Sequence, residues 1–212
     1  MKNIISELKK EIQPRFFSDI SHGFDHTERV YNMAIKLAKH EKADLDVIEI
    51  AALLHDIARS KEENDKKICH ADEGAKMAKN ILKKYNLQSE KINNILHCIR
   101  VHRYSRGLKS ETIEAKIIQD ADRLDAIGAI CVARVFAYSG KKNRPFHNTT
   151  IKPRDVYFGA SSETSINHFF EKILKIKPEG FNTKKAKEIA KERYKFTKDF
   201  VGRFLKEWDG KI

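Results

Sequence analysis

Wherever apolar positions along this chain have a period, the period is that of a helix. Val30, Met33, Ala34, Leu37 and Ala38 recur on one helix face, and four places before Val30 the same face carries His26. Asp44 is placed to cap a second helix, in which Ile48, Ala51, Ala52 and His55 share a stripe while Asp56 lies about 100° around. A third helix begins near His70 and aligns His70, Gly74, Ala75, Ala78, Ile81 and Leu82. A fourth, with Ser89 as its expected cap, lines up Ile92, Ile95, Leu96, Ile99 and His102. A fifth, from about Thr112, puts Ala115, Ile118, Asp122, Asp125, Ala126 and Ala129 on one side. No strand-like alternation of useful length, internal repeat, Gly-rich phosphate loop or nucleophile elbow is present.

The period lapses after Tyr138. Residues 139–163 carry Pro145, Pro153, Gly140, Gly159, Lys141, Lys142, Arg144, Lys152 and Arg154 without a pattern, and so long a loop in a compact chain is usually functional or disordered. Ile166, Phe169, Phe170, Ile173 and Leu174 then predict a short amphipathic helix. Ala186, Ile189, Ala190, Arg193, Thr197, Phe200, Val201, Phe204 and Trp208 predict a long one. The expectation is an all-α protein with a helical core over 1–138, a basic loop over 139–163 and C-terminal helices over 164–212, packed as one compact unit. Phe196, Phe200 and Phe204 are expected to pack inward; exposed, they would instead offer a homodimer surface.

A chain of 212 residues can bury a sizeable core. It has no run of about 18 apolar residues and no signal-peptide pattern at its start, so a cytoplasmic protein without a membrane partner is expected. Cys69, Cys98 and Cys131 are too scattered for a disulfide framework or a Cys-x-x-Cys zinc site, and are read as buried reduced thiols. The net charge of +12 attracts phosphates of any kind, or reflects only a lysine-rich composition. Without an aromatic-rich sheet motif or a helix-turn-helix, nucleic acid is not the expected partner.

The chemistry sits on the apolar faces, which turn His26, His55, Asp56, His70, His102 and Asp122 inward. Burying imidazoles and carboxylates is costly unless a partner or a metal satisfies them. One such histidine is more often a hydrogen-bonded core residue than a ligand. Several together with carboxylates neutralise a dication, and imidazole plus carboxylate suits manganese, iron, nickel, zinc or magnesium. His22, His40, His97, His147 and His168 are read as having no metal role.

The order His26, His55-Asp56, Asp122 resembles the metal motif of the HD-domain metal-dependent phosphohydrolase superfamily, an all-helical fold. The segments His22-Gly23-Phe24-Asp25-His26, Leu53-Leu54-His55-Asp56-Ile57, His70-Ala71-Asp72-Glu73-Gly74-Ala75 and Gln119-Asp120-Ala121-Asp122-Arg123-Leu124-Asp125 are similar to those of small bacterial HD proteins regarded as nucleotide pyrophosphohydrolases, and so is the tail to Trp208. The resemblance implies an HD-domain helical bundle with a C-terminal helical extension, and His26, His55, Asp56 and Asp122 as ligands of one divalent ion rather than two. His70 and His102 match the extra histidines of two-metal members and otherwise bind substrate phosphate. Asp56 and Asp125 are the expected catalytic carboxylates, Asp125 through a ligand histidine or the attacking water, and Asp120 is a capping or supporting group. Arg29, Arg59 and Lys116 are candidates for phosphate, each equally readable as a surface ion-pair residue, and the basic loop either closes over a triphosphate or is simply solvated.

Arg59-Ser60-Lys61 stands where the alarmone hydrolases of this superfamily carry an acidic pair, and Glu62-Glu63 comes only afterwards. That argues against alarmone hydrolysis and leaves the general base unassigned. The expected activity is hydrolysis of nucleotides, as a nucleoside or deoxynucleoside triphosphate pyrophosphohydrolase. The alternatives are a phosphomonoesterase or phosphodiesterase, and a non-catalytic nucleotide- or RNA-binding module.

Overall fold

The computed structural model describes residues 2–16, 23–103, 106–155 and 161–212; it is all-α, with no strand among the described residues. His22 and Gly159 lie outside them. Contacts divide the chain into two units, Met1–Asp122 and Arg123–Ile212, and the division falls inside a helix.

In the first unit the central element is α3 (Leu45–Leu54), whose Val47, Ile48, Ile50, Ala51, Ala52, Leu53 and Leu54 are all buried. A helix apolar on every side must be surrounded. Here the surroundings are α1 (Lys2–Ile12), α2 (Phe24–Ala38) and α6 (Ser89–Val101), while α5 (His70–Leu82) packs on α6 and the short α4 (Arg59–Asn64) on α5. α1 is not among the helices expected from the apolar pattern, although Ile5, Leu8 and Ile12 bury one of its faces at helical spacing. Asp44 caps α3 as expected, accepting from the Asp46 and Val47 amides, and Lys91 bridges Asp44 and Asp46. Ser89 is not the cap of α6; it is the first helical residue, and Gln88 precedes it without a side-chain cap bond. Thr112 does cap α7 (Ile113–Asp125), its hydroxyl accepting from the Ala115 amide.

The fifth predicted helix is in fact two. Gly128 adopts φ 91° and ψ −165°, a region open essentially to glycine, and ends the run before α8 (Ala129–Lys141). Its amide donates to the Thr197 hydroxyl at 2.8 Å, and the Arg193 guanidinium donates to the Leu124 carbonyl at 2.6 Å. A Cβ at Gly128 would lie 3.1 Å from Cγ of Arg193. Gly128→Ala is therefore expected to destabilise the protein by about 1–3 kcal/mol, a loss that thermal unfolding at matched concentration would register.

The rest of the second unit is α9 (Ser165–Glu171) and α10 (Lys184–Trp208), joined by short 3-10 turns. Ala186, Ala190, Thr197 and Val201 form the buried stripe of α10. Phe200 and Phe204 join Phe136 and Phe169 in an aromatic cluster with centroid separations near 6 Å. Phe196 and Phe170, expected inside, are exposed. This unit holds 20 basic against 10 acidic residues, and the first unit 22 against 20. The positive balance is thus not a property of the histidine-bearing unit.

The basic loop is not patternless in space. Arg154 binds Glu171, whose carboxylate is buried, through its amide at 3.0 Å and its guanidinium at 2.9 Å, and it also donates to the Ser161 carbonyl. Arg144 donates to the Ser161 hydroxyl. Arg154 therefore anchors the chain instead of standing free to meet a phosphate. All three cysteines are free thiols, but only Cys98 and Cys131 are buried; Cys69 is half-buried and accepts a bond from Arg106.

Candidate metal centre

Six side chains of the first unit converge, and two helix ends aim the first pair. The sequence pattern runs a helix through Asp56, yet α3 stops at Leu54, and its last free carbonyls are where His55 finds a partner. His55 Nδ1–H donates to the Ala52 carbonyl at 2.7 Å, the acceptor that the Asp56 amide would take in a continuing helix. The chain turns there, with amide bonds from Ile57 to Leu54 and from Arg59 to Asp56. His102 repeats the device just after α6, its Nδ1–H donating to the Ile99 carbonyl at 2.7 Å. In both, the proton is committed to Nδ1, so Nε2 keeps its lone pair.

These bare nitrogens meet others. His55 Nε2 lies 3.4 Å from Nε2 of His26, which enters from the first turn of α2. His102 Nε2 lies 3.2 Å from Nε2 of His70, the first residue of α5. Asp56 stands between the pairs with one oxygen for each. Its Oδ2 is 3.8 Å from His26 and 3.9 Å from His55, and its Oδ1 is 3.2 Å from His70 and 3.5 Å from His102. Asp122 Oδ1 adds a second carboxylate 3.4 Å from His26.

Two sets of three possible ligands result, His26-His55-Asp56 and Asp56-His70-His102, with Asp56 common to both. Lone pairs aimed at one another repel unless a cation or a proton lies between them. Separations of 3.2–3.4 Å are those that two ligands of one ion keep when each bond is about 2.1 Å. Asp56 Oδ1 is buried and accepts no hydrogen bond of good geometry, an orphan that a cation would satisfy. The donor set therefore fits a divalent ion of borderline or hard character.

The electrostatics agree. Burial pushes the His55 imidazole down to about 4, against the pull of Asp56, so it is neutral and able to ligate near pH 7. Burial also lowers His70. Burial alone would raise Asp56, but the surrounding imidazoles and Arg59 hold its carboxyl well below the usual range. Asp122 follows the same course, with His26 as the chief opponent of its desolvation. His102 is raised in spite of burial because Asp56 and Asp122 face it. Two carboxylates held ionised beside neutral imidazoles make the centre attractive to a cation. Asp122, its side chain 28% exposed against 5% or less for the other five, marks the open side.

Several other sequence candidates make bonds outside this group. Arg29 pairs with Asp25 one turn before it at 2.7 Å. Lys116 lies on α7 about 120° around from Asp122 and about 9 Å along the axis. Asp125 belongs to the second unit, where Arg134 binds its carboxylate at 2.7 Å. Asp120 is fully buried. Arg59 does reach the centre, with Nη1 3.2 Å from Nδ1 of His70. Among the remaining histidines His40 is exposed, His97 accepts from the Glu111 amide, His147 packs on Trp208 and His168 bonds Ser162.

One participant has no role in the sequence reading beyond arguing against alarmone hydrolysis. Glu62 lies 2.7 Å from Nδ1 of His70.

The HD domain family matches residues 23–127, the span from the start of α2 to the end of α7, which contains all six converging residues. This chain belongs to the HD-domain family. As an HD-domain protein it is a metal-dependent hydrolase of all-helical fold. It is 32% identical to YpgQ of Bacillus subtilis over 97% of each chain. It also resembles a crystal structure described as an HD-superfamily hydrolase from Bacillus thuringiensis, at 36% identity, TM-score 0.76 and 98% of both chains covered. A complex of B. subtilis YpgQ with ADP matches at 29% identity and TM-score 0.72, covering 96% of both chains. No helix among the described residues is long and apolar enough to cross a membrane.

Proposed function

We propose that this HD-domain protein hydrolyses nucleotides, cleaving nucleoside or deoxynucleoside triphosphates to monophosphate and pyrophosphate. The observation that carries the hydrolytic part is the convergence of bare imidazole nitrogens on a shared, orphaned Asp56 carboxylate. The nucleotide part is supported by the ADP bound to YpgQ. His26, His55, Asp56 and Asp122 would hold a divalent ion, manganese among the candidates, which when bound supplies acidified water and Lewis-acid pull on a phosphoryl oxygen. One water is consumed: its oxygen joins the α-phosphorus as the bond to the α–β bridging oxygen breaks, and pyrophosphate and a proton leave. Arg29 on α2 and Lys116 on α7 supply positive charge for substrate oxygens. Asp125 acts through its neighbours and not as a ligand.

His70 and His102 have two roles open to them. With Nδ1 of each facing an acceptor, Nε2 offers a lone pair, which repels a phosphate oxygen but binds a cation. That favours a second ion on Asp56 Oδ1, His70 and His102 over direct phosphate binding.

The test is release of phosphate and pyrophosphate from nucleoside mono-, di- and triphosphates with manganese, magnesium, nickel or a chelator, alongside counting of bound manganese. Pyrophosphate from triphosphates, abolished by chelator, is expected. Orthophosphate from monophosphates would move the protein to the phosphomonoesterases, and metal binding without turnover of any substrate would make it a binding module. Two ions per chain, falling to one in His102→Ala, would support the second-ion reading; one ion in the wild type would sink it.

A further inference from the structure

His55 and His102 sit just past the ends of helices, where unpaired carbonyls are at hand to take the Nδ1 proton. His70 is the first residue of α5, preceded by non-helical chain. A helix start offers unpaired N–H groups and no carbonyls, so the device used twice elsewhere fails here. A side chain takes its place. Glu62 Oε2 lies 2.7 Å from Nδ1 of His70, while Oε1 accepts from Arg103 at 2.7 Å and Arg59 stands 3.5 Å from Oε2. Arg59 also approaches His70 but carries only donors, so it cannot receive the imidazole proton.

We propose that Glu62 is a positioning residue: it holds His70 in the Nδ1–H tautomer and thereby presents a bare Nε2 to Asp56 Oδ1 and His102. A carboxylate faces each ring nitrogen, Glu62 Oε2 at 2.7 Å from Nδ1 and Asp56 Oδ1 at 3.2 Å from Nε2. A neutral imidazole has one N–H, so the proton sits on the nitrogen with the nearer acceptor, the one facing Glu62. Without that acceptor the proton would move to Nε2, where Asp56 Oδ1 is 3.2 Å away, and the ring would donate into the centre instead of ligating there. Arg103 and Arg59 keep Glu62 in place. Such carboxylate–histidine–metal chains orient the ring and fix its tautomer. The tautomer assignment stands on its own; only its consequence for metal binding rests on the second-ion reading above.

The test uses the full chain, labelled with nitrogen-15 and free of metal, at pH 8. Long-range proton–nitrogen spectra should show His70 as the Nδ1–H form in the wild type, as the Nε2–H form or a mixture in Glu62→Ala, and again as the Nδ1–H form in Glu62→Gln, whose amide oxygen can accept the same bond. An Nε2–H ring in the wild type, or one unmoved by Glu62→Ala, overturns the proposal. Manganese titration followed by electron paramagnetic resonance gives the second readout. Glu62→Ala should weaken the ion at His70 and His102 by about 10–100-fold and leave the ion at His26 and His55 unchanged. A shifted tautomer with unchanged affinity at both positions overturns the metal half. A wild type that binds one ion or none sinks the reading above, and the spectra still decide the role of Glu62.

Discussion

Asp56→Ala is expected to abolish metal-dependent hydrolysis, with a loss on the order of 10³-fold or more in turnover, while the protein still folds. The size follows from the residue's position: it is the one side chain common to both ligand sets, so its removal takes from both pairs of histidines the carboxylate they share and leaves His26 and His55 with Asp122 alone. A metal ion contributes several kcal/mol to a phosphoryl transition state, and each 1.4 kcal/mol is about tenfold in rate. The folded state should tolerate the change because Asp56 Oδ1 accepts no bond that would be lost, and the Ala52 and Ile99 carbonyls hold His55 and His102 independently. Asp56→Asn, which keeps the shape and removes the charge, should lose activity similarly. Thermal unfolding of both variants without metal should stay within a few degrees of the wild type, and metal titration should show weakened binding. Full activity in either variant would remove the metal assignment, while a collapse of the fold would show that Asp56 is needed for structure.

Much of this centre is legible in the chain because it obeys helical period. His26, His55, His70 and His102 each extend an apolar stripe, and the structure buries all four. Asp122 continues the stripe of α7, and the HD-like order of the motif singles it out from Asp120 and Asp125. What periodicity cannot show is how a helix ends. Nothing in Ala51-Ala52-Leu53-Leu54-His55-Asp56 announces that the His55 ring takes the Ala52 carbonyl and turns the chain, yet that bond decides which nitrogen faces the site. Glu62 is hidden for the related reason that α4 is six residues long, too short to display a face, and its contact with His70 crosses between elements. The split at Gly128 was visible as a glycine after a long stripe; only its positive φ, set by packing of Arg193 and Thr197, shows that the helix must stop there.

Arg154→Ala is expected to cost about 3 kcal/mol, the low end for breaking a buried ion pair because the guanidinium is 40% exposed and partly screened by solvent. The loss falls on Glu171, whose side chain is 1% exposed and would lose its guanidinium partner while keeping the backbone amide of residue 154 at 3.0 Å and the Ser162 hydroxyl, which donates to it at 2.6 Å. Ser162 stands between Glu171 and His168, so this cluster does not have the order of a serine hydrolase triad, in which the histidine lies between serine and carboxylate. Its role is to anchor the loop to α9. Hydrogen bonding from Arg154 is the leading cause that holds the Glu171 carboxyl at about 2, against desolvation and from an ordinary 4.5, with Ser162 assisting. A depressed carboxyl pKa stabilises the fold fully above the unfolded value and ceases to do so as pH falls through the folded one. The contribution should therefore be complete above about pH 4.5 and decline toward pH 2. Glu171→Gln removes the titrating group, so urea unfolding should show the wild type more stable by a margin that narrows between pH 7 and pH 3. A margin constant across that range would mean that the Arg154 pair does not set the acid stability of this unit.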